Sequence, residues 1–159
     1  MSSPSREELA DWRVFLETAY ALIDILDAEL QTERGITLSW YDGLVHLEEA
    51  ENGLRMNELA GRILLSKSGL TRVIDRMEEA GLVRRERPAD DRRVVKVYIT
   101  PAGLDALQAA RIVHRRGIQE HFVQHLTQRQ LAALAHTLES VRDHVRPLDP
   151  AASAARGLM

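Results

Sequence analysis

The sequence predicts a mainly α protein with a small β-wing: a winged helix-turn-helix with N- and C-terminal dimerisation helices. Three observations carry this. Apolar heptads mark both ends of the chain, two short capped helical patterns follow one another in the middle, and a pair of short strands around a polar loop comes directly after them. At 159 residues the chain is near the length of one domain. The expected layout is a single unit, 1–159, with a lobe at 37–100, dimerisation helices at 6–33 and 101–146, and a disordered tail at 147–159.

The first helix spans about 6–33. Leu9, Trp12, Leu16, Ala19, Ile23, Leu26 and Leu30 alternate spacings of three and four, a heptad seam. A second helix follows at about 37–49, ending in a turn at Glu51, Asn52 and Gly53. Asn57 is placed to cap a two-turn helix ending near Ile63. Residues 64–66 form a tight connection, and Ser66 or Ser68 caps the next helix, which stops at Gly81. Strand residues 82–85, a loop at 86–93 containing Pro88, and an alternating strand at 94–99 complete the wing. Thr100 then serves as N-cap, with Pro101 in the first turn, for a long helix to about His125. Thr127 and Gln130 make a capping box for a last helix whose Leu131, Leu134, Leu138, Val141 and Val145 repeat the heptad spacing. Either seam suits a dimer, and either equally suits packing within one chain.

Composition narrows the function. The longest apolar runs fall far short of the roughly 18 residues that span a bilayer, and the N-terminus lacks the apolar core of a secretory signal, so a cytoplasmic protein without a membrane partner is expected. With no cysteine there is no disulfide and no thiol switch. The net charge of −3 opposes phosphate binding at first sight. Charge is segregated, however: residues 55–96 hold eleven Lys or Arg against seven Asp or Glu, a net +4, leaving ten against seventeen, −7, elsewhere. One basic face on an acidic body is implied.

In the helix at 67–80, Leu70, Val73, Ile74 and Met77 form one stripe that packs inward. At about 100° per residue, Lys67, Ser68, Thr71, Arg72 and Asp75 project from the other side, where they can reach a major groove. Ser66 and Ser68 suit phosphate contacts at a helix N-terminus, Thr71 and Arg72 suit base edges, and Lys67 and Arg76 suit either. The loop tip at 88–93 holds Arg92 and Arg93 away from the body, toward a minor groove, with Asp91 placed to orient Arg93 by a charge-assisted hydrogen bond. Double-stranded DNA is the expected partner.

The stretch MNELAGRILLSKSGLTRVIDRMEEAGLVRRERPADDRRVVKVYITPAGLDAL resembles the MarR family of transcription regulators, including the Asp-x-Arg wing signature at Asp91 and Arg93. The resemblance implies a homodimeric, ligand-responsive repressor on a pseudo-palindromic operator, with two lobes in consecutive major grooves. It also implies Arg93 as the minor-groove residue and a small-molecule cleft between the dimer helices and each lobe. Members that sense oxidants through a thiol need a cysteine, which excludes that branch. Members that sense urate match at Asp42 but place an arginine where Glu49 stands.

Five of the seven aromatics, Trp12, Phe15, Tyr20, Trp40 and Tyr41, lie on the first two helices. Core packing explains such clustering, and so does a site for a phenolic or carboxylate effector; Trp12, Tyr20, Trp40, Asp42 and His46 are its candidate residues. His121 and His125, four apart on the long helix, with His114 two turns earlier, suit a metal-responsive regulator using helix histidines. No carboxylate or cysteine completes a ligand set from spacing alone, so no metal residues and no cofactor are assigned. An enzyme is not expected, since no phosphate loop, nucleophile elbow or cysteine nucleophile is present. A winged-helix protein-interaction module without DNA binding is the other alternative.

Overall fold

In the computed structural model, residues 3–63, 67–88 and 93–145 are described, without the side chains of Lys67, Ser68 and Val145. Six α-helices and three short strands occur among them: α1 (Arg6–Arg34), α2 (Leu38–Glu48), β1 (Leu54–Arg55), α3 (Met56–Arg62), α4 (Lys67–Glu79), β2 (Val83–Glu86), β3 (Lys96–Ile99), α5 (Pro101–His121) and α6 (Gln128–Val145). The tail after Val145 and the connection at 64–66 lie outside the described residues.

Helices α1, α2, α5 and α6 each begin where a side chain satisfies an orphan amide. Ser5 and Glu8 form a capping box for α1, Thr37 accepts from the Trp40 amide for α2, and Thr127 exchanges bonds with Gln130 ahead of α6. Thr100 does more than cap α5. Its hydroxyl accepts from the Gly103 amide at 3.0 Å and donates to the Gly81 carbonyl at 2.7 Å, while its own amide donates to the Leu82 carbonyl. One residue thereby joins the end of the wing to the turn after α4 and the start of α5.

Asn57 is not a cap. The cap position belongs to Arg55, whose amide donates to the Glu58 carboxylate at 2.7 Å, and Asn57 lies inside α3. The reason is β1, which spacing did not reveal: Leu54 and Arg55 pair with Val97 and Lys96, so the chain leaves a strand directly into the helix. The sheet order is β1-β3-β2, antiparallel, with Val83 opposite Ile99 and Glu86 opposite Lys96. Gly53 turns the chain into β1 with φ +65°; a side chain there would be strained and would meet the Tyr98 ring at 2.7 Å.

The core gathers Leu44, Leu47, Leu59, Ile74, Met77 and Val97 from four elements of the lobe, continuous with Leu30, Leu107 and Val113 where α1, α2 and α5 meet. By contrast the outer stretch of α1 leaves large apolar side chains in solvent, with Leu9, Trp12 and Ile23 each more than half exposed, and Val141 of α6 is likewise exposed. Among the described residues no helix is long and apolar enough to cross a membrane.

The long helix does not reach His125. It ends at His121; Phe122 leaves the helical region at φ −132°, ψ −63°, and 123–125 make a single 3-10 turn. The ring of His125 bonds back to the Glu120 carbonyl, so the i, i+4 histidine pair expected on one helix is not formed.

Candidate nucleic-acid interface

Helix α4 is placed by its apolar stripe. Leu70, Ile74 and Met77 are essentially buried and Val73 is half-buried, which rolls Thr71, Arg72 and Arg76 outward, all exposed. Lys67 and Ser68 occupy the first two helical positions, so Ser68 is inside the helix rather than its cap, and Ser66 lies outside the described residues. Arg93, exposed, precedes β3 at the far side of the wing; Asp91 and Arg92 lie outside the described residues.

Asp75 departs from expectation. Its Oδ1 accepts from Arg85 Nη2 at 2.6 Å, so it serves the wing rather than a groove. Arg85 also donates through Nη1 to Glu78 Oε2 at 2.6 Å, and its backbone amide donates to Glu78 Oε1 at 2.8 Å. Spanning ten positions of sequence, this fork clamps β2 onto α4. The two carboxylates hold the Arg85 guanidinium above its ordinary value against the opposing cost of burial. Acids three apart on one helix and an arginine in the next strand were the available signal, but helical phase alone sends Asp75 outward. On the opposite strand Tyr98 lies under Arg84, 4.8 Å from cation to ring centroid, and Arg84 pairs with Glu86.

The candidate effector residues come from two helices. Trp12 and Tyr20 are exposed on α1, whereas Trp40, Asp42 and His46 are on α2. The α1–α2 joint is fixed near Asp27, whose carboxylate accepts from the Leu38 amide at 2.6 Å; Trp12 is about 22 Å up the helix from there at about 1.5 Å per residue. On α2, His46 sits between Asp42 at 3.6 Å and Glu49 at 3.8 Å. The rings of Tyr41 and His114, a pairing not foreseen from spacing, meet at a tilt of 49° with centroids 4.5 Å apart. Burial pushes the His114 imidazole below its ordinary value, with Asp42 pulling the other way. Burial likewise raises the Tyr41 phenol, opposed by the cation of Arg111, which Glu48 holds through two hydrogen bonds.

Fold and site together define a winged helix-turn-helix protein in which α4 turns a polar face outward and is clamped to its wing. Comparison with known proteins specifies the family. Residues 34–94 match the MarR family model. AbsC, a MarR-family regulator from Streptomyces coelicolor, is 34% identical, with 93% of this chain and 100% of that one covered and a TM-score of 0.83. Sco3205 from the same organism, a MarR-family regulator solved in complex with DNA, is 30% identical over 92% of each chain, with a TM-score of 0.85. YsmB of Bacillus subtilis, named as an HTH-type transcriptional regulator, is 28% identical over 146 residues, 92% of this chain and 99% of its own. The chain belongs to the MarR family and is a DNA-binding transcription regulator. All three of these relatives are named as regulators rather than enzymes.

Proposed function

We propose that the protein is a homodimeric, effector-responsive repressor without catalytic activity, acting in the cytoplasm on a pseudo-palindromic operator. In this reading the lobe 37–100 binds DNA, and 6–33 with 101–146 join two lobes. The observation that carries it is the phase of α4: three apolar residues buried in the lobe present Thr71, Arg72 and Arg76 together to solvent. Thr71 and Arg72 read base edges, with Arg76 and Lys67 on bases or phosphates. Ser66 and Ser68 hold phosphates, and Arg92 and Arg93, the latter oriented by Asp91, anchor the wing in a minor groove.

Dimerisation is supported by the apolar face of α1, since Leu9, Trp12 and Ile23 are too large and too exposed to be left in water without a partner. Two lobes then fit half-sites one helical turn apart, about 34–36 Å. A phenolic or carboxylate effector, bound among Trp40, Asp42 and His46 with Trp12 and Tyr20 supplied from the α1 side, acts by favouring a lobe separation that mismatches the operator.

Selection of duplexes from a random pool tests the reading. An enriched inverted repeat with half-sites one turn apart is expected, whereas no enriched motif at moderate salt would make this a protein-interaction module. Thermal-shift screening of phenolic and carboxylate compounds tests the effector, since a ligand of the folded state must raise its stability.

A further inference from the structure

We propose that Glu29, Glu120 and His121 bind one divalent transition-metal cation of the zinc class at the crossing of α1 and α5. The three residues come from the two helices whose packing joins the exposed seam to the lobe. One donor atom of each lies within 4.8 Å of the other two. His121 Nε2 is 2.7 Å from Glu29 Oε1, on a pair 92 positions apart in sequence.

Two features of Glu29 point to a ligand rather than to a simple ion pair. Its second oxygen, Oε2, is buried and has no hydrogen-bond partner among the described residues. A buried carboxylate oxygen without a donor is costly, and a cation removes that cost. The same oxygen is set into a notch made by Gly117: a Cβ at that position would lie 2.5 Å from Glu29 Oε2 and 2.6 Å from Leu26 Cδ2, so any larger residue would fill the space the carboxylate occupies.

The donor set selects the class of cation. One imidazole nitrogen with two carboxylate oxygens suits zinc-like ions, which take nitrogen and oxygen at about 2.0–2.2 Å and four ligands, the fourth being water. Calcium and magnesium favour oxygen-only sets with more ligands. The two carboxylates balance the charge of a divalent ion. Ligands held at tetrahedral angles and about 2.0–2.2 Å from a cation stand roughly 3.3–3.5 Å apart, so binding would open the 2.7 Å His121–Glu29 separation by more than half an ångström. His121 also edges a groove lined by Glu17, Thr18, Ala21, Leu22 and Ile25, which offers an approach. The competing neighbour is Arg116, whose charge is felt from Glu29 and Glu120 but whose guanidinium is hydrogen-bonded to Glu33. His125 is turned away onto the Glu120 carbonyl.

The test uses the full-length, tag-free protein at neutral pH. Cobalt(II) is titrated by its visible absorption, and zinc by competition with a chromophoric chelator. One equivalent per chain is expected, with absorption typical of a four-coordinate nitrogen and oxygen site. His121→Gln, Glu29→Gln and Glu120→Gln should each weaken zinc by at least about tenfold, with His125→Ala and His144→Ala unchanged. Zinc should raise the melting temperature of the wild type and not of His121→Gln. Glu120 is exposed, so its variant folds even if Glu29→Gln does not. No competition with the chelator at micromolar protein, meaning a His121–Glu29 ion pair only, would overturn the proposal. So would His121→Gln binding zinc as the wild type does, which would move the ion to other histidines. Neither result bears on whether α4 reads DNA.

Discussion

Replacing Glu78 by Gln separates a positioning role from a purely electrostatic one, because the two give opposite signs. Glu78 holds the wing by accepting both the Arg85 amide and its guanidinium, at 2.8 and 2.6 Å. Glutamine keeps one acceptor oxygen for the amide but sets an NH2 group against the guanidinium, which then hangs on Asp75 alone. Arg85 is about a quarter exposed and Glu78 38% exposed, so solvent screening limits the stability cost to about 1 kcal/mol, a few degrees in melting temperature. For DNA, deleting a negative charge near phosphates should by itself tighten binding. If the fork sets the wing angle, however, Arg93 loses part of its groove contact and affinity falls by about 3- to 10-fold, the upper figure matching about 1.4 kcal/mol. The assay is fluorescence anisotropy on the selected duplex at fixed salt, with Glu79→Gln as an equal charge change one residue along. Coupling to Arg93→Ala in a double-mutant cycle is the second readout. Should Glu78→Gln bind as tightly as Glu79→Gln, with no coupling to Arg93, the positioning argument is refuted.

Other consequences follow from single positions. Gly103→Ala drives a methyl into the Leu82 carbonyl and to 2.9 Å from Ile99 Cγ1, so urea unfolding should show a loss of about 3 kcal/mol, where an ordinary helical glycine would gain stability. Leu9→Glu with Ile23→Glu places charge on the exposed seam; sedimentation should show monomers, and affinity for the two-half-site duplex should drop by about 100-fold or more. His114 predicts acid lability. Its folded-state value lies below the ordinary 6.5, so the stability it secures is full above that pH and is lost as the pH falls toward and through the folded value. His114→Gln should therefore lose less stability than the wild type between about pH 7.5 and about pH 5, measured by chemical unfolding.

Much of this fold was legible because its signals are local. The apolar stripe of α4, the caps at Thr100 and Thr127, and the alternating strand before Thr100 are each set by neighbours within a turn or two. What escaped depends on distant partners. A two-residue strand at Leu54 and Arg55 exists only because Val97 and Lys96 lie beside it, and this moved the cap from Asn57 to Arg55. Helical phase pointed Asp75 outward, but Arg85 ten residues on draws it to the wing. Histidine spacing suggested a pair at His121 and His125, whereas the helix stops between them and His121 finds Glu29 from the opposite end of the chain. The aromatics of α1 and α2 read as one cluster in sequence, yet the length of α1 carries Trp12 far from the joint.

The most direct test of the central claim, that the outward face of α4 reads the major groove, is a salt-titrated gel shift of Arg72→Ala on the selected operator and on variants at each base pair. A loss of about 1–3 kcal/mol with relaxed preference at one position in each half-site is predicted. Wild-type affinity and unchanged base preference would contradict it.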